Sequence, residues 1–216
     1  MKIGFWHNNF SFNNFGSTVL YNAKIRQHQH DCEFDSPCDV FITRLDKYDL
    51  YRLKRDEADW EDTSFAKSII EALENYSPED DRQNDLKTAF FAVETKNPRG
   101  ENQIRAMAMA TNYLKENKVE LHWLQTNNGI NMPYVIKGAG SCLLFMAIEF
   151  AKKCKADKFE LHSVDEAINF YKKFKMRSNL KDLNEFTLEK RFFDKKTDYI
   201  QKKYFIEPVE TQSQQN

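Results

Sequence analysis

The sequence predicts an α/β or α+β fold in which helices flank a central mixed, mostly antiparallel sheet. Hydrophobic residues make up 41% of the 216 residues, enough to bury the core of one large domain or two small ones. Residues 88–95 form an apolar run that ends in turn chemistry, and a two-residue alternation follows at residues 104–111 and 119–124, which together are typical of an antiparallel meander. After residue 140 the apolar period becomes helical, and strands and helices then alternate. These observations together favour helices packed on a mixed sheet.

The first part of the chain contains one predicted strand and two helix-favouring stretches. Residues 1–38 are rich in aromatic residues and Asn with weak periodicity, and they stay an unassigned N-terminal extension. Residues 39–44 are predicted to form a short strand, followed by a polar, helix-favouring stretch through Glu57. Ser64 can cap a helix with one apolar face, and Ser77-Pro78 ends it. The apolar positions of that helix are Phe65, Ile69, Ile70, Leu73 and Tyr76.

Residues 88–124 supply the three strands of the predicted meander. Residues 88–95 form the first strand, and residues 96–102 carry turn chemistry with Asn, Pro and Gly. Residues 104–111 and 119–124 alternate apolar with other side chains and form the second and third strands. This part of the chain therefore predicts an antiparallel sheet.

The last part of the chain predicts helices and strands in alternation. Apolar residues from Leu143 to Cys154 recur at helical spacing, and residues 158–163 form a strand. An apolar stripe at residues 164–174 predicts another helix. The run 186–193 is strand-like and closes the sheet, and the polar residues 205–216 are expected to form a disordered tail.

Composition excludes several classes of protein. The 32 Lys+Arg nearly balance 33 Asp+Glu, so a globally basic nucleic-acid binder is disfavoured. Four cysteines are too few and too scattered for a disulfide scaffold. The N-terminus lacks a secretory signal pattern, and no stretch approaches the roughly 20 apolar residues of a membrane helix. We therefore expect a cytoplasmic protein with no membrane or nucleic-acid partner; export by a signal-free route stays open.

Charge is segregated along the chain although the formal net charge is −1. Residues 56–85 contain 11 acidic and 2 basic residues, whereas residues 152–203 contain 15 basic and 9 acidic residues. These could be two solvated faces, or an acidic surface for a cationic partner and a basic surface for an anion. Charge alone leaves both interpretations open.

The segment Lys137-Gly-Ala-Gly-Ser-Cys142 contains the only two glycines in close succession and precedes the predicted helix. Small residues let a ligand approach the backbone, and the N–H groups and dipole of a helix N-terminus favour a phosphate. A glycine N-cap without a ligand is the alternative. The segment is not a Walker A loop, since Ser141-Cys142 stands where Lys-Ser/Thr is required. It also lacks the third Gly of a dinucleotide fingerprint, because Leu143 occupies that position.

With the helix and strand that follow and the segment Ala167-Ile-Asn-Phe-Tyr-Lys-Lys-Phe-Lys-Met176, this loop resembles the GNAT superfamily of acyl-CoA-dependent N-acyltransferases. The resemblance covers about residues 88–193 and implies a GNAT-like domain over residues 39–204. It implies an N-acetyltransferase that moves an acetyl group from acetyl-CoA, its co-substrate, directly to a primary amine. By this resemblance the loop holds the pyrophosphate, and the strand before it binds the pantetheine arm. The implied cofactor-binding residues are Leu124, Gln125, Thr126, Lys137, Gly138, Ala139, Gly140, Ser141 and Cys142.

The same resemblance assigns catalytic candidates. Tyr171 aligns with the family's tyrosine and would donate a proton to the departing CoA thiolate, although an inward aromatic residue of a helix is more often a core residue. Glu120 and His122 share a predicted strand face and are the leading candidates for the general base. His162, at the end of the next strand, is a further candidate. The choice among the three stays open.

The second hypothesis is a catalytically inactive GNAT-like module that binds CoA or a protein. Val164 stands where many members have Asn, and Lys175-Met176 replaces the usual Gly-Phe, which favours this alternative. The acidic residues 56–85 would suit a cationic acceptor, whether small molecule, peptide or protein lysine. Its identity, the acyl chain length and the oligomeric state stay open. The cluster His28-Gln-His30-Asp-Cys32 with Cys38 matches no common zinc spacing, so no metal is expected.

Overall fold

The structure is a computed structural model that describes residues 18–29, 35–57, 60, 64–97, 100–127 and 134–209. The strands of the described residues are β1 (Thr18–Gln29), β2 (Asp35–Arg44), β3 (Leu86–Lys96), β4 (Asn102–Tyr113), β5 (Lys118–Thr126), β6 (Tyr134–Lys137), β7 (Lys158–His162), β8 (Arg177–Ser178), β9 (Glu185–Glu189) and β10 (Glu207–Pro208). The α-helices are α1 (Leu50–Glu57), α2 (Ser64–Asn75), α3 (Pro78–Gln83), α4 (Ala139–Lys153), α5 (Ile168–Lys173) and α6 (Phe193–Tyr204).

All ten strands belong to one sheet. Their order is β10-β1-β2-β3-β4-β5-β7-β9-β8, and β6 pairs with β1 beside β10. Neighbouring strands run antiparallel except for β5 and β7, which run parallel. The predicted fold class, a mixed and mostly antiparallel sheet flanked by helices, is confirmed.

Helices cover both faces of the sheet. Phe90 and Met107 belong to an apolar cluster with residues of α1 and α2, such as Leu53 and Ile69. Their neighbours on the same strands, including Phe91 and Ala108, belong to a second cluster with residues of α4, α5 and α6. Because successive side chains of a strand point to opposite faces, the two clusters lie on opposite sides of the sheet. We call these the α2 face and the α4 face.

Two carboxylates of the acidic stretch, residues 56–85, stabilise the fold on the α2 face. The Asp56 side chain accepts a hydrogen bond from the Ile104 N–H at 3.0 Å. Asp81 accepts from the Thr88 N–H at 2.6 Å and from the Thr88 hydroxyl at 2.9 Å. Both acids are buried. The carboxylates of Asp56 and Asp81 are therefore engaged in internal hydrogen bonds. Only the exposed acidic residues of the segment 56–85 can contact a partner.

The structure adds elements at both ends of the assigned domain. Residues 18–29, which the sequence left unassigned, form β1 and pair with β2 along their length. The predicted strand 186–193 ends at Glu189, and Phe193 begins α6. Phe193, Thr197 and Ile200 are the buried residues of α6, at spacings of four and three, so a helical period was present in the sequence but missed. Residues 207–208 of the predicted polar tail form β10.

Two further boundaries differ locally. Ser77-Pro78 ends α2 as predicted, but the Ser77 hydroxyl also caps α3, accepting from the Asp80 N–H at 3.4 Å. The predicted helix over residues 164–174 is a 3-10 turn at Asp165–Ala167 followed by α5. Within the described residues, no helix is long and apolar enough to cross a membrane.

Candidate functional site

An opening forms in the sheet where β5 and β7 separate. The two strands pair in parallel from Lys118 to Leu121 of β5, and β5 then continues to Thr126 paired with β4 but not with β7. The register of β5 with β4 shifts at the same point, since Met109 pairs with Trp123 and Ala110 with Leu121. This bulge increases local twist and leaves His122 as the extra residue. The end of β5 is therefore turned away from β7.

The first turn of α4 packs against this free end of β5. A Cβ atom added at Gly140 would lie 3.4 Å from Thr126 Cγ2 and 3.6 Å from Leu124 Cδ2. A larger side chain at Gly140 would push against the strand. The structure thus brings together the predicted pyrophosphate loop and the predicted arm-binding strand.

Gly138 shapes the loop that leads into α4. Its φ of 113° lies in the left-handed region, where side chains are strained. A Cβ atom at Gly138 would lie 2.7 Å from Cε1 of Tyr204 on α6. The Cys142 N–H makes a helical bond to the Gly138 carbonyl at 3.1 Å, and Gly138 supplies no side-chain cap. The N–H groups of the first turn lack intrahelical partners and point toward the loop side of α4.

A cavity of about 360 Å³ lies between this loop, the end of β5 and helices α5 and α6. Its three cationic side chains are Lys137, Lys173 and Lys203. The Lys137 ammonium is held by Asp35 at 2.9 Å. The remaining lining residues are Thr126, Val135, Ile136, Gly138, Gly140, Ser141, Phe170, Phe174, Tyr199 and Tyr204. Positive charge and a helix N-terminus at one cavity suit an anionic ligand.

The predicted cofactor residues divide between the cavity and the interior. Thr126, Lys137, Gly138, Gly140 and Ser141 line the cavity. Ala139 and Cys142 are buried in α4, and burial raises the pKa of the Cys142 thiol to about 12, so it stays neutral. Leu124 is half-buried against Gly140. The Gln125 side-chain oxygen accepts a hydrogen bond from the Ala66 N–H at 2.6 Å, so it anchors α2.

Tyr171 lies beside the cavity, in the apolar cluster of the α4 face. Only 6% of the residue is exposed, and its ring lies 5.0 Å from Phe170 and 5.5 Å from Phe186 between centroids. Burial raises the pKa of Tyr171 to about 12, which keeps the phenol protonated at neutral pH. The cavity-lining residues of α5 are Phe170, Lys173 and Phe174. The catalytic role of Tyr171 stays a prediction.

The candidate bases lie on the α2 face. Val119 and Leu121 of β5 are buried on the α4 face, so the alternating residues Glu120 and His122 point the other way. His122 Nδ1 lies 3.6 Å from a Glu120 carboxylate oxygen, and His122 Nε2 lies 3.4 Å from the Tyr113 hydroxyl. Burial lowers the pKa of His122; the Glu120 carboxylate opposes this shift. The imidazole is therefore neutral at neutral pH and can accept a proton.

His162 occupies a more solvated position. Its side chain is 63% exposed at the end of β7, and its Nδ1 lies 3.7 Å from Asp182. This arrangement ties His162 to the loop before β9. Of the three predicted bases, Glu120 and His122 are therefore the pair that the structure brings together.

Sequence reasoning missed the contributions of α6 and part of α5 to the cavity. Tyr204 donates a hydrogen bond to the Ser141 hydroxyl at 3.2 Å, and Tyr199 and Lys203 line the same space. The helical spacing after Phe193 was the signal that could have identified α6. The cluster around His30 and Cys32 falls outside the residues that the structure describes.

No protein-family model and no curated protein matches the chain. Solved structures of similar fold include an acetyltransferase of the GNAT family from Staphylococcus aureus Mu50, at 16% identity, covering 69% of this chain and 98% of that one, with a TM-score of 0.49. They also include AtaTR bound with acetyl-CoA, at 15% identity, 72% and 96% coverage and a TM-score of 0.46. A mutant AtaT toxin bound to the C-terminus of the antitoxin AtaR and acetyl-CoA matches at 14% identity, 75% and 96% coverage and a TM-score of 0.45.

Proposed function

We propose that this chain is an acyl-CoA-dependent N-acyltransferase that transfers an acyl group, most simply acetyl, from CoA to a primary amine. One observation carries the proposal: β5 and β7 separate directly beside the first turn of α4, and a cation-lined cavity occupies that junction. A thioester reaching from the cavity into the opening would meet the two candidate bases on the far side of the sheet. The sequence resemblance to the GNAT superfamily gives the same interpretation.

The cavity fits the pyrophosphate of a CoA thioester. The N–H groups of the first turn of α4 and the helix dipole favour negative charge there. Lys173 and Lys203 add two ammonium groups from α5 and α6. Thr126 lines the same cavity at the end of β5, so the arm that follows the pyrophosphate can run along this strand.

Direct transfer requires a neutral amine, a polarised carbonyl and a proton for the departing thiolate. The amine nitrogen forms a bond to the thioester carbonyl carbon, and the C–S bond then breaks. His122 or Glu120 would take the proton from the amine, directly or through water. Tyr171, with its pKa raised by burial, would supply a proton to the CoA sulfur. The co-substrate supplies the activated acyl group.

We further propose a cationic acceptor that approaches from the α2 face. Helices α1, α2 and α3 carry most of the acidic stretch, and Glu120 lies on this face of the sheet. Glu120 and Glu160 are register partners on the paired strands, and the Lys118 ammonium lies 3.4 Å from Glu160 and 3.9 Å from Glu120. The ammonium group of Lys118 therefore already lies close to the candidate bases on the α2 face, as the amine of a cationic acceptor would.

The second candidate function is a CoA-binding module without chemistry. It is favoured by the burial of Tyr171 among aromatic rings and by the phenylalanines that α5 presents to the cavity. Such a module would use the same cavity but would not need a proton donor.

Calorimetric titration with acetyl-CoA, followed by a thiol-release assay with a panel of amines, tests both candidates. We expect saturable one-to-one binding, and thiol release that depends on a cationic amine. Absence of acetyl-CoA binding would contradict both functions. Binding without thiol release across small amines, peptides and lysine-containing proteins would favour the module. Glutamate and other anionic amines serve as matched negative acceptors.

A His122→Gln variant tests the assignment of the base. If His122 accepts the amine proton, kcat rises with pH as the imidazole loses its own proton. The midpoint of this acidic limb of the pH profile lies below the ordinary histidine pKa of about 6.5, because burial lowers the pKa of His122. The variant should lose this limb and about 10²-fold in kcat. The pH dependence of kcat with saturating acetyl-CoA measures both.

Glu120→Gln is the matched control for that experiment. The Glu120 carboxylate stabilises the imidazolium, so its removal lowers the pKa of His122 further. In Glu120→Gln, which retains His122, the acidic limb of the pH profile should therefore move to lower pH. An unchanged profile in His122→Gln would exclude His122 as the base.

A further inference from the structure

The outer edge of β1 contains a notch next to the proposed CoA cavity. β10 pairs with β1 at Tyr21 and Asn22, and β6 pairs with it from Arg26 onward. Between these pairings, no strand in the described part of the chain covers residues 23–25 on that edge. A groove of about 700 Å³ occupies the notch, and the end of α6 lies along it.

The groove is strongly basic. Its cations are Lys24, Arg26, Lys137 and Lys203, whereas its one acid, Asp35, is bound to Lys137 at 2.9 Å. Ile25 belongs to the apolar cluster of the α4 face, so Lys24 and Arg26, which alternate with it, project from the opposite side of β1. Both still line the groove, because it opens at the outer edge of this strand.

Neither of these two β1 cations is neutralised by a strong ion pair. Lys24 reaches Asp39 at 3.4 Å, but both side chains are more than 60% exposed, so solvent screens this pair. Arg26 forms no ion pair with the described residues. Among the described residues that line it, the groove therefore carries more positive than negative charge.

The groove adjoins the proposed CoA cavity. Lys137, Lys203 and Tyr204 line both, and Tyr204 lies over Gly138 at the boundary between them. Because residues 23–25 lie at an uncovered sheet edge, a ligand whose pyrophosphate occupied the cavity could extend around this edge to Lys24 and Arg26. The pyrophosphate of CoA joins the pantetheine arm to a ribose. This ribose carries a 3′-phosphate monoester.

We propose that Lys24 and Arg26 of β1 bind this 3′-phosphate and make the protein select CoA thioesters over their 3′-dephospho analogues. This inference rests on the proposed function and adds two specificity-determining residues to it. Arg26 is suited to the role because a guanidinium can bind phosphate oxygens in a bidentate manner, and Lys24 adds a second charge. Both residues lie outside the segment 88–193 that carries the family resemblance.

Titration of the full chain with acetyl-CoA and with acetyl-3′-dephospho-CoA tests the proposal. The wild-type protein should bind acetyl-CoA at least tenfold more tightly. In the double variant Lys24→Gln/Arg26→Gln, affinity for acetyl-CoA should fall about tenfold, and affinity for the dephospho analogue should change less than twofold. Lys158→Gln/Arg177→Gln removes the same charges from exposed positions on β7 and β8 and should retain the discrimination.

The outcomes separate the two levels of the proposal. Equal binding of both thioesters by the wild-type protein would overturn the 3′-phosphate site while leaving acyl-CoA binding intact. Equal losses for both thioesters in the double variant would also overturn it, since they would indicate general electrostatics. Binding of neither thioester would overturn the proposed function together with this inference. Far-UV circular dichroism and urea unfolding confirm that the variants are folded.

Discussion

A Gly138→Ala variant is expected to bind acetyl-CoA at least tenfold more weakly and to lose about 1–3 kcal/mol in its free energy of unfolding. The backbone at this residue has a φ of 113°, which alanine adopts only with strain. The added Cβ atom would also lie 2.7 Å from the Tyr204 ring, so either the ring or the loop must move. Both effects displace the first turn of α4, and calorimetric titration and urea unfolding measure them.

Gly100→Ala separates backbone strain from the effect on the site. Gly100 also has a positive φ, 80°, but an added Cβ atom would meet nothing within 4 Å. This control should lose stability while its affinity for acetyl-CoA stays unchanged. A second variant, Gly138→Ala/Tyr204→Ala, removes the clash and keeps the strained backbone. If Gly138→Ala bound acetyl-CoA as tightly as wild type, the loop would not be the pyrophosphate site.

Tyr171→Phe is expected to lower kcat by about 10²–10³-fold with little change in KM for acetyl-CoA. The phenol would act only when the thiolate leaves, so its removal affects the chemical step more than binding. Since burial raises the pKa of Tyr171 to about 12, its proton stays in place across the usual assay range. The wild-type rate should therefore show no alkaline loss attributable to this group below about pH 10.

The control for that substitution is Tyr51→Phe, because Tyr51 is 82% exposed on α1. It should leave both kcat and KM unchanged. Urea unfolding of Tyr171→Phe distinguishes loss of catalysis from loss of folding, and a folded variant should bind acetyl-CoA normally. Turnover equal to wild type would remove Tyr171 from the mechanism and would place its hydroxyl among the core contacts.

Strong periodicity made much of the fold predictable from the sequence. The meander became β3, β4 and β5, and the helix after the glycine pair became α4, with boundaries close to those expected. α6 was missed because Phe192, directly before it, continues the alternation of Phe186 and Leu188 in β9. β1 was missed because its short alternation of Ala23 and Ile25 with charged residues follows an aromatic and Asn-rich stretch.

The loop at Gly138 and the strand β5 were predictable elements of the candidate site, because glycine placement and strand periodicity are local properties of the chain. The residues that form the walls of the cavity were not predictable from the sequence. Tyr204 meets Ser141 across 63 positions of sequence, and β1 places Arg26 opposite Lys137 by strand pairing.

The sequence by itself determined the sheet meander, the helix α4 and the position of the glycine loop, since burial on one face of an element leaves a period in its residues. Only the tertiary structure decided which cations share a cavity, where β5 leaves β7, and that Gln125 and Cys142 serve the interior. The physical reason is that these contacts join residues far apart in the chain. Packing and strand register establish such contacts, and neither leaves a local pattern.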